Sequence, residues 1–507
     1  MSSALPERAS LEFLTKQAKD FLRDAKAGDA IALDRLRAGG PEVASDPPKL
    51  ADCQHALARE YGFASWPKLK AHVESLATTD PVESLAAAMK SGELTAVREV
   101  LARFPSLKSR LDGPMAGGSF GATALITAVQ RADRELVDLL LAGGADINQR
   151  SHWWAGGFHV LEDDHGLADF LIARGATLDA KSAAQLGRLE DLRTIVTADP
   201  SAVHQRGGDG QTPLHVAPTV AVADFLLDRG AEIDARDVDH ESTPAQYLVR
   251  SHTDVAKFLV ARGAKTDILM SAALGDLARV RGFLEADPAS IRTLVSDQYF
   301  PRRNPHSGGC IYIWTLGQAK TAHAVAREFG HDAVYELLMQ HTPDTLKLAV
   351  ACELGDEATL AALLEARPDL PRTLGAEELR MLPIAAQQGN VQAVRRMLTA
   401  GWPPDTTAQH GATALHWAGF HGNAEVAREI LKFRPALEAK EKDFGMTALG
   451  WTIYGSLHGW HAQSGDYAGV LELLLDAGAR APKLEPKLEA SEAVLSVLRR
   501  REFGDRV

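Results

Sequence analysis

The chain has 507 residues, more than one compact core usually organises, so several domains or an elongated array are expected. Its formal charge of −12, from 55 Lys+Arg against 67 Asp+Glu, opposes broad nucleic-acid binding, because a surface of that sign repels phosphate backbones. Three scattered cysteines exclude a disulfide framework and fit a reducing, cytoplasmic setting; MSSALPERAS has no signal-peptide core, and no apolar run approaches the roughly 18 residues of a membrane span.

In chain order, residues 1–79 form a front module with two amphipathic helical stretches, 11–37 and 50–76, the second broken at Tyr61-Gly62-Phe63. From 80 to 484 one phrase recurs: T-x-L-H or T-P, a helix, a second apolar helix, then G-A-D/E-I-N/D. It occupies 122–148, 211–236, 242–267, 412–440 and 446–479. Thr and Pro open the first helix, and Gly closes the second in a left-handed conformation that a Cβ resists. A second phrase alternates with it at 182–203, 271–291 and 349–370, with looser copies at 87–107 and 382–402. Here apolar residues fall at i, i+3, i+4, and Asp-Pro or Arg-Pro often ends the pair, since a residue before proline avoids the helical region. Both kinds together give about ten to eleven units. Residues 485–507 read as a basic amphipathic helix that caps the array.

The paired T-x-L start and G-A stop resemble the ankyrin family. That resemblance implies an all-α solenoid of stacked helix pairs whose first helices and fingers line a concave face. The string KLADCQHALAREYGFASWPKLKAHVE, 49–74, resembles a helical module at the front of bacterial ankyrin-repeat proteins, which implies an N-terminal cap and a bacterial chain.

Breaks in the repeat are where specificity is expected. Thr212 to Gly230 is three residues shorter than Thr123 to Gly144, and Thr447 to Gly478 is ten longer. That insertion, 455–466, holds His458, Trp460 and His461, with Tyr467 just beyond it. At 151–166 the Thr-Pro start is replaced by a stretch with His152, Trp153, Trp154 and His159, and 296–317 is a long loop with Tyr299, Arg302, Arg303, Tyr312 and Trp314. Trp417 and Trp451 hold the same position in successive units and should stack side by side; His421 follows Trp417 by one helical turn. Aromatics with Arg and His are the composition of binding surfaces, so these residues form the candidate site.

Other patterns point to less. His215 and His416 are expected to bond near their own turns, and Glu162-Asp163-Asp164 to be a solvated helix start. Neither His458, His461 and Asp466 nor His152, His159 and His165 has metal-motif spacing, so no metal is expected. Gly117–Gly121 matches G-x-S-x-G only as a loop before a helix, and no phosphate-binding glycine motif occurs, so no cofactor is expected. The expected function is a scaffold holding a protein segment or small ligand, without nucleic acid or membrane. The alternative is an enzyme, which would require His152, His159, Tyr312, His421, His458 and Asp466 to converge.

Overall fold

Short polar side chains start the helices. Thr123 Oγ1 accepts from Ile126 N at 3.3 Å, Thr321 from Ala324 N at 3.2 Å and Thr447 from Gly450 N at 3.2 Å. Asp179, Asp267 and Asn390 carboxyl or amide oxygens do the same for Ser182, Met270 and Ala393. Each cap satisfies a backbone N–H that the helix cannot, at about 1 kcal/mol. His215 and His416 add a tie between repeats. Their Nδ1 atoms accept from Thr212 N at 3.1 Å and Thr413 N at 3.2 Å, while Nε2 donates to the carbonyls of Ser242 and Met446 in the following unit. Burial holds both imidazoles neutral, His215 as low as about 3.

The computed structural model describes residues 11–38, 47–63, 65–70, 80–162, 164–482 and 488–503. The expected leaderless N-terminus, the end of the 50–76 stretch, Asp163 and residues 483–487 lie outside them. The described residues are all-helical, with no strand and two isolated bridges, Leu294 to Thr321 and Thr407 to Thr413. They fall into two compact units, one running to Pro244 and including His306–Gly308, the other comprising Ala245–Pro305 and Gly309 onward.

In the first unit, Leu11–Lys26, Ala30–Ala38 and Leu50–Glu60 pack around Phe21, Ala32, Leu36 and Cys53. Arg35 clamps Glu60 through two bonds of 2.8 and 2.7 Å. Helix pairs follow: Pro81–Ser91 with Leu94–Arg103, Ala124–Gln130 with Arg134–Gly143, and Ala180–Gln185 with Leu189–Ala198. Between the last two, 151–166 forms no helix and only Ala168–Ile172 follows. The short Thr212 unit keeps a 3-10 turn, Pro213–Val216, before Val220–Asp228.

The second unit continues the pattern. Ile268–Leu274 pairs with Leu277–Ala286, Ala322–Glu328 with Asp332–His341, Asp344–Leu354 with Glu357–Ala366, and Met381–Gln387 with Val391–Ala400. Ala414–His421 pairs with Ala424–Leu431, and Ala448–His458 with Tyr467–Asp476. Neither helix of a pair hides its apolar stripe alone; a single core from Leu348 to Leu498 runs through the last repeats. Glu492–Phe503 closes that core with Val494, Val497 and Leu498. Gly422 turns the chain at φ 62°, where a Cβ would meet Gly465 and Asp466 N at 3.0 Å, so the 459–466 insertion can lie against it.

Candidate functional site

In the first unit the missing helix at 151–166 is replaced by an ionic plug. Glu162 accepts from His159 N at 3.1 Å and Gly208 N at 2.9 Å, and pairs with Arg150 at 2.7 Å and Lys181 at 2.5 Å. Lys181 is 1 % exposed and Glu162 4 %. The expectation of a solvated acidic helix start is therefore corrected for Glu162. With no helix to fill the repeat, its carboxylate is drawn inward, and buried charge persists only when paired and hydrogen-bonded. Asp164 does behave as a cap, accepting from Ala168 N. A cavity of about 300 Å³ opens above the plug, lined by Phe120, His159, Lys181 and Gln185.

The aromatic residues of this stretch gather at the finger tips. Trp153 meets Phe120 edge-on at 5.0 Å and Trp154 at 6.1 Å, and Trp154, 42 % exposed, lies 6.0 Å from His306. Trp153 Nε1 donates to Asp209 at 3.0 Å. His152 bonds the Asp112 carbonyl, and His159 is buried on Asn148, which lowers its pKa. Sequence reasoning missed Asp209, Asp239 and His240, whose ligand atoms lie within 4.8 Å of one another, a donor set of the kind that suits divalent cations. Burial raises Asp209 to about 6, against the pull of His240. These residues come from successive fingers, so their spacing in the chain carries no metal signature.

In the second unit, burial divides the candidates. Tyr312 is fully buried and its hydroxyl donates to Asp267 at 2.9 Å; Tyr467 is buried and donates to the Phe420 carbonyl at 3.0 Å. Burial pushes both phenols up. Trp417 and Trp451 also sit in the core, and they meet edge-to-face, 5.3 Å apart at 88°, instead of stacking in parallel. An indole ring edge facing a ring face is the electrostatically preferred contact. Arg302 pairs with Asp297 at 2.6 Å, and Arg303 is exposed on the same loop. Trp314 is 71 % exposed and Trp460 68 %.

Trp460 completes an aromatic wall. It lies 5.2 Å from His421, 5.8 Å from Phe420 and 6.4 Å from Trp417, and His461 lies 5.2 Å from His421. His421 is stacked on Trp417 at 22°, and neither of its buried ring nitrogens has a hydrogen-bond partner. Burial, then the neighbouring His461, lowers His421 to about 4. His458 turns away to Tyr454 at 4.6 Å, and Asp466 caps Gly469 N. None of Tyr312, His421, His458 and Asp466 lines either of the two cavities described next.

Two adjoining cavities form a groove in this unit. The first, about 510 Å³, lies between the fingers at 291–299, 318–321 and 407–409 and the inner helices Asp344–Leu354 and Met381–Gln387; Tyr299 lines it. The second, about 440 Å³, is lined by Lys320, Asn390 and Trp460. They share Gln318, Ala319, Ile384, Gln387 and Gln388. Thus Tyr299 and Trp460 belong to one groove although 160 residues lie between them in the chain. Glu353, Glu377 and Arg380, also lining it, were not singled out from sequence. A signal existed: Gln130, Gln185, Glu353 and Gln387 each stand two residues before the positive-φ residue that ends an inner helix (Ala132, Gly187, Gly355 and Gly389), and each lines a cavity.

Comparison with known proteins follows the same segments. The family model for ankyrin repeats in three copies matches 346–443 and 382–482, and the single-repeat model matches 120–152 and 209–238. Most of 151–166 and all of 296–317 fall between matched segments. An 83-residue stretch is 37% identical to E3 ubiquitin-protein ligase XB3 of Oryza sativa subsp. japonica, covering 16% of this chain and 18% of that protein. The crystal structure of the human ASB11 ankyrin repeat domain aligns at 17% identity and a TM-score of 0.26, over 61% of this chain and 100% of that one. The helical fold and the family models show ankyrin repeats within 120–152, 209–238 and 346–482, less than half of the chain. Such repeats indicate a protein-binding scaffold. Among the described residues no helix is long and apolar enough to cross a membrane.

Proposed function

We propose that the groove of the second unit, from Tyr299 to Trp460, holds an extended segment of a partner protein. The observation that carries this reading is the pair of adjoining cavities between fingers and inner helices, with a largely exposed tryptophan lining one of them. An extended chain needs backbone partners as well as an anchor. Gln318, Gln387 and Gln388 offer both donors and acceptors along the shared wall, and Trp460 with its His421 and His461 neighbours offers apolar area. Trp314 supplies further contact surface in the same unit, and Trp153, Trp154 and His152 form a separate candidate surface in the first unit. The three cysteines, all free, fit a cytoplasmic working place, and the 49–74 string a bacterial one.

Panning a random heptapeptide display library on the full chain tests this. Peptides selected on the wild type should bind Trp460→Ala at least about tenfold more weakly, as loss of a tryptophan hot spot does. Equal binding to both proteins would move the site away from the groove.

A further inference from the structure

The floor of this groove is polar in a way that the chain leaves unfinished. Glu353, near the end of the inner helix Asp344–Leu354, lines the larger cavity together with Ser296 from the finger opposite. Glu353 Oε2 and Ser296 Oγ are both shielded from solvent, and neither has a hydrogen-bond partner. A carboxylate oxygen can only accept, so an occupant that donates would complete it. The cavity's walls beside them are apolar, with Leu294, Val295, Met381 and Ile384. That combination suits a side chain with a long methylene stem and a charged donor at its tip.

The surrounding cations do not fill the role. Lys320 is held by Glu328 at 3.0 Å, and Arg292 by Glu377 at 3.1 Å and Glu378 at 2.8 Å. Arg380 is exposed where it lines the cavity. Beyond the groove, the formal charge of −12 draws a basic segment in from a distance. Burial also raises Glu353 to about 7, against the pull of Lys320, so its charged form is the one that lacks a counter-ion.

We propose that this cavity is a pocket for a basic side chain, lysine or arginine, carried by the extended protein segment that occupies the groove, with the Glu353 carboxylate receiving its charged head. Ser296 offers a second acceptor in the same cavity, and the methylene stem lies along Leu294 and Ile384. The inference rests on the groove being the binding surface, and it adds which residue the partner must present there.

The heptapeptide selection described above is extended to Glu353→Gln, which keeps the side-chain shape and removes the charge. On the wild type, one peptide position should be enriched at least tenfold in lysine or arginine; on Glu353→Gln that enrichment should vanish while the other selected positions persist. A synthetic copy of a selected peptide should lose at least tenfold in affinity for the wild type when its lysine is replaced by norleucine, or its arginine by citrulline, and lose almost nothing on Glu353→Gln. Selected peptides without a basic position, or equal basic enrichment on both proteins, would overturn the pocket while leaving the groove intact. Peptides that bind Trp460→Ala as well as the wild type, or no selected peptides at all, would overturn the groove reading and the pocket with it. A thermal melt of Glu353→Gln guards the comparison against misfolding.

Discussion

Glu353 keeps a proton to near neutrality because its carboxyl is shut away from water, and that has a cost which pH reveals. Its folded pKa, about 7, lies above the ordinary 4.5. The native state therefore binds more protons than the unfolded chain across that interval, and this group's contribution to stability is complete below pH 4.5 and is lost as the pH rises toward 7. Glu353→Gln escapes the loss. It should match the wild type near pH 4.5 and exceed it at pH 8 by up to about 3 kcal/mol, read from urea unfolding at both values. Equal midpoints at pH 8 would mean that the carboxyl is better solvated than its surroundings allow. His421 slopes the other way: its folded pKa of about 4 lies below 6.5, so its contribution is present above pH 6.5 and lost as the pH falls toward 4. At this scale the sequence was partly readable. The T-x-L-H histidines bond to their own turns as expected, because that contact is local. Glu353 was passed over as one more polar residue in a degenerate repeat, although its place two residues before Gly355 matched that of Gln185 and Gln387.

Among the elements, the 151–166 stretch shows how a repeat survives the loss of a helix. Glu162 gathers His159 N, Gly208 N, Arg150 and Lys181 around one buried carboxylate, linking the stretch to the next two units. Removing a single partner leaves charge in a place water does not reach. Lys181→Met should cost about 3 kcal/mol or more in urea unfolding, and adding Glu162→Gln should restore a good part of it. Additive losses in the double variant would show that the two side chains act separately. Reading the chain as a string placed Glu162 with its acidic neighbours, in solvent. The void that pulls it inward exists only once the flanking repeats are stacked, and so no local pattern announced it. The insertion before Tyr467 was easier to see, because a ten-residue excess between two strong helix signals must go outside the stack.

For the molecule as a whole, stability passes from neighbour to neighbour. Val494, Val497 and Leu498 cover the end of the core that contains Leu471 and Leu474. Ending the chain at Pro482 should expose that face, promote association, and lower amide-exchange protection most in 446–479, less in 412–440 and little by 349–370. Uniform loss across those repeats would indicate one cooperative block. The helical fold was legible throughout, since caps, stops and apolar spacing repeat within some thirty residues. What escaped was the grouping of Asp209 with His240, and of Ser296 with Glu353, which depends on which fingers become neighbours. The edge-to-face indoles of Trp417 and Trp451 supply a natural optical gauge of that neighbourhood. Two equivalent chromophores 5.3 Å apart exchange excitation and should give a paired positive and negative band in circular dichroism. Replacing Trp451 with phenylalanine should remove this pair's share of the couplet while leaving those of Trp153 with Trp154 and of Trp417 with Trp460, and in the intact protein that share should fade when these two adjacent repeats come apart, even while each stays helical.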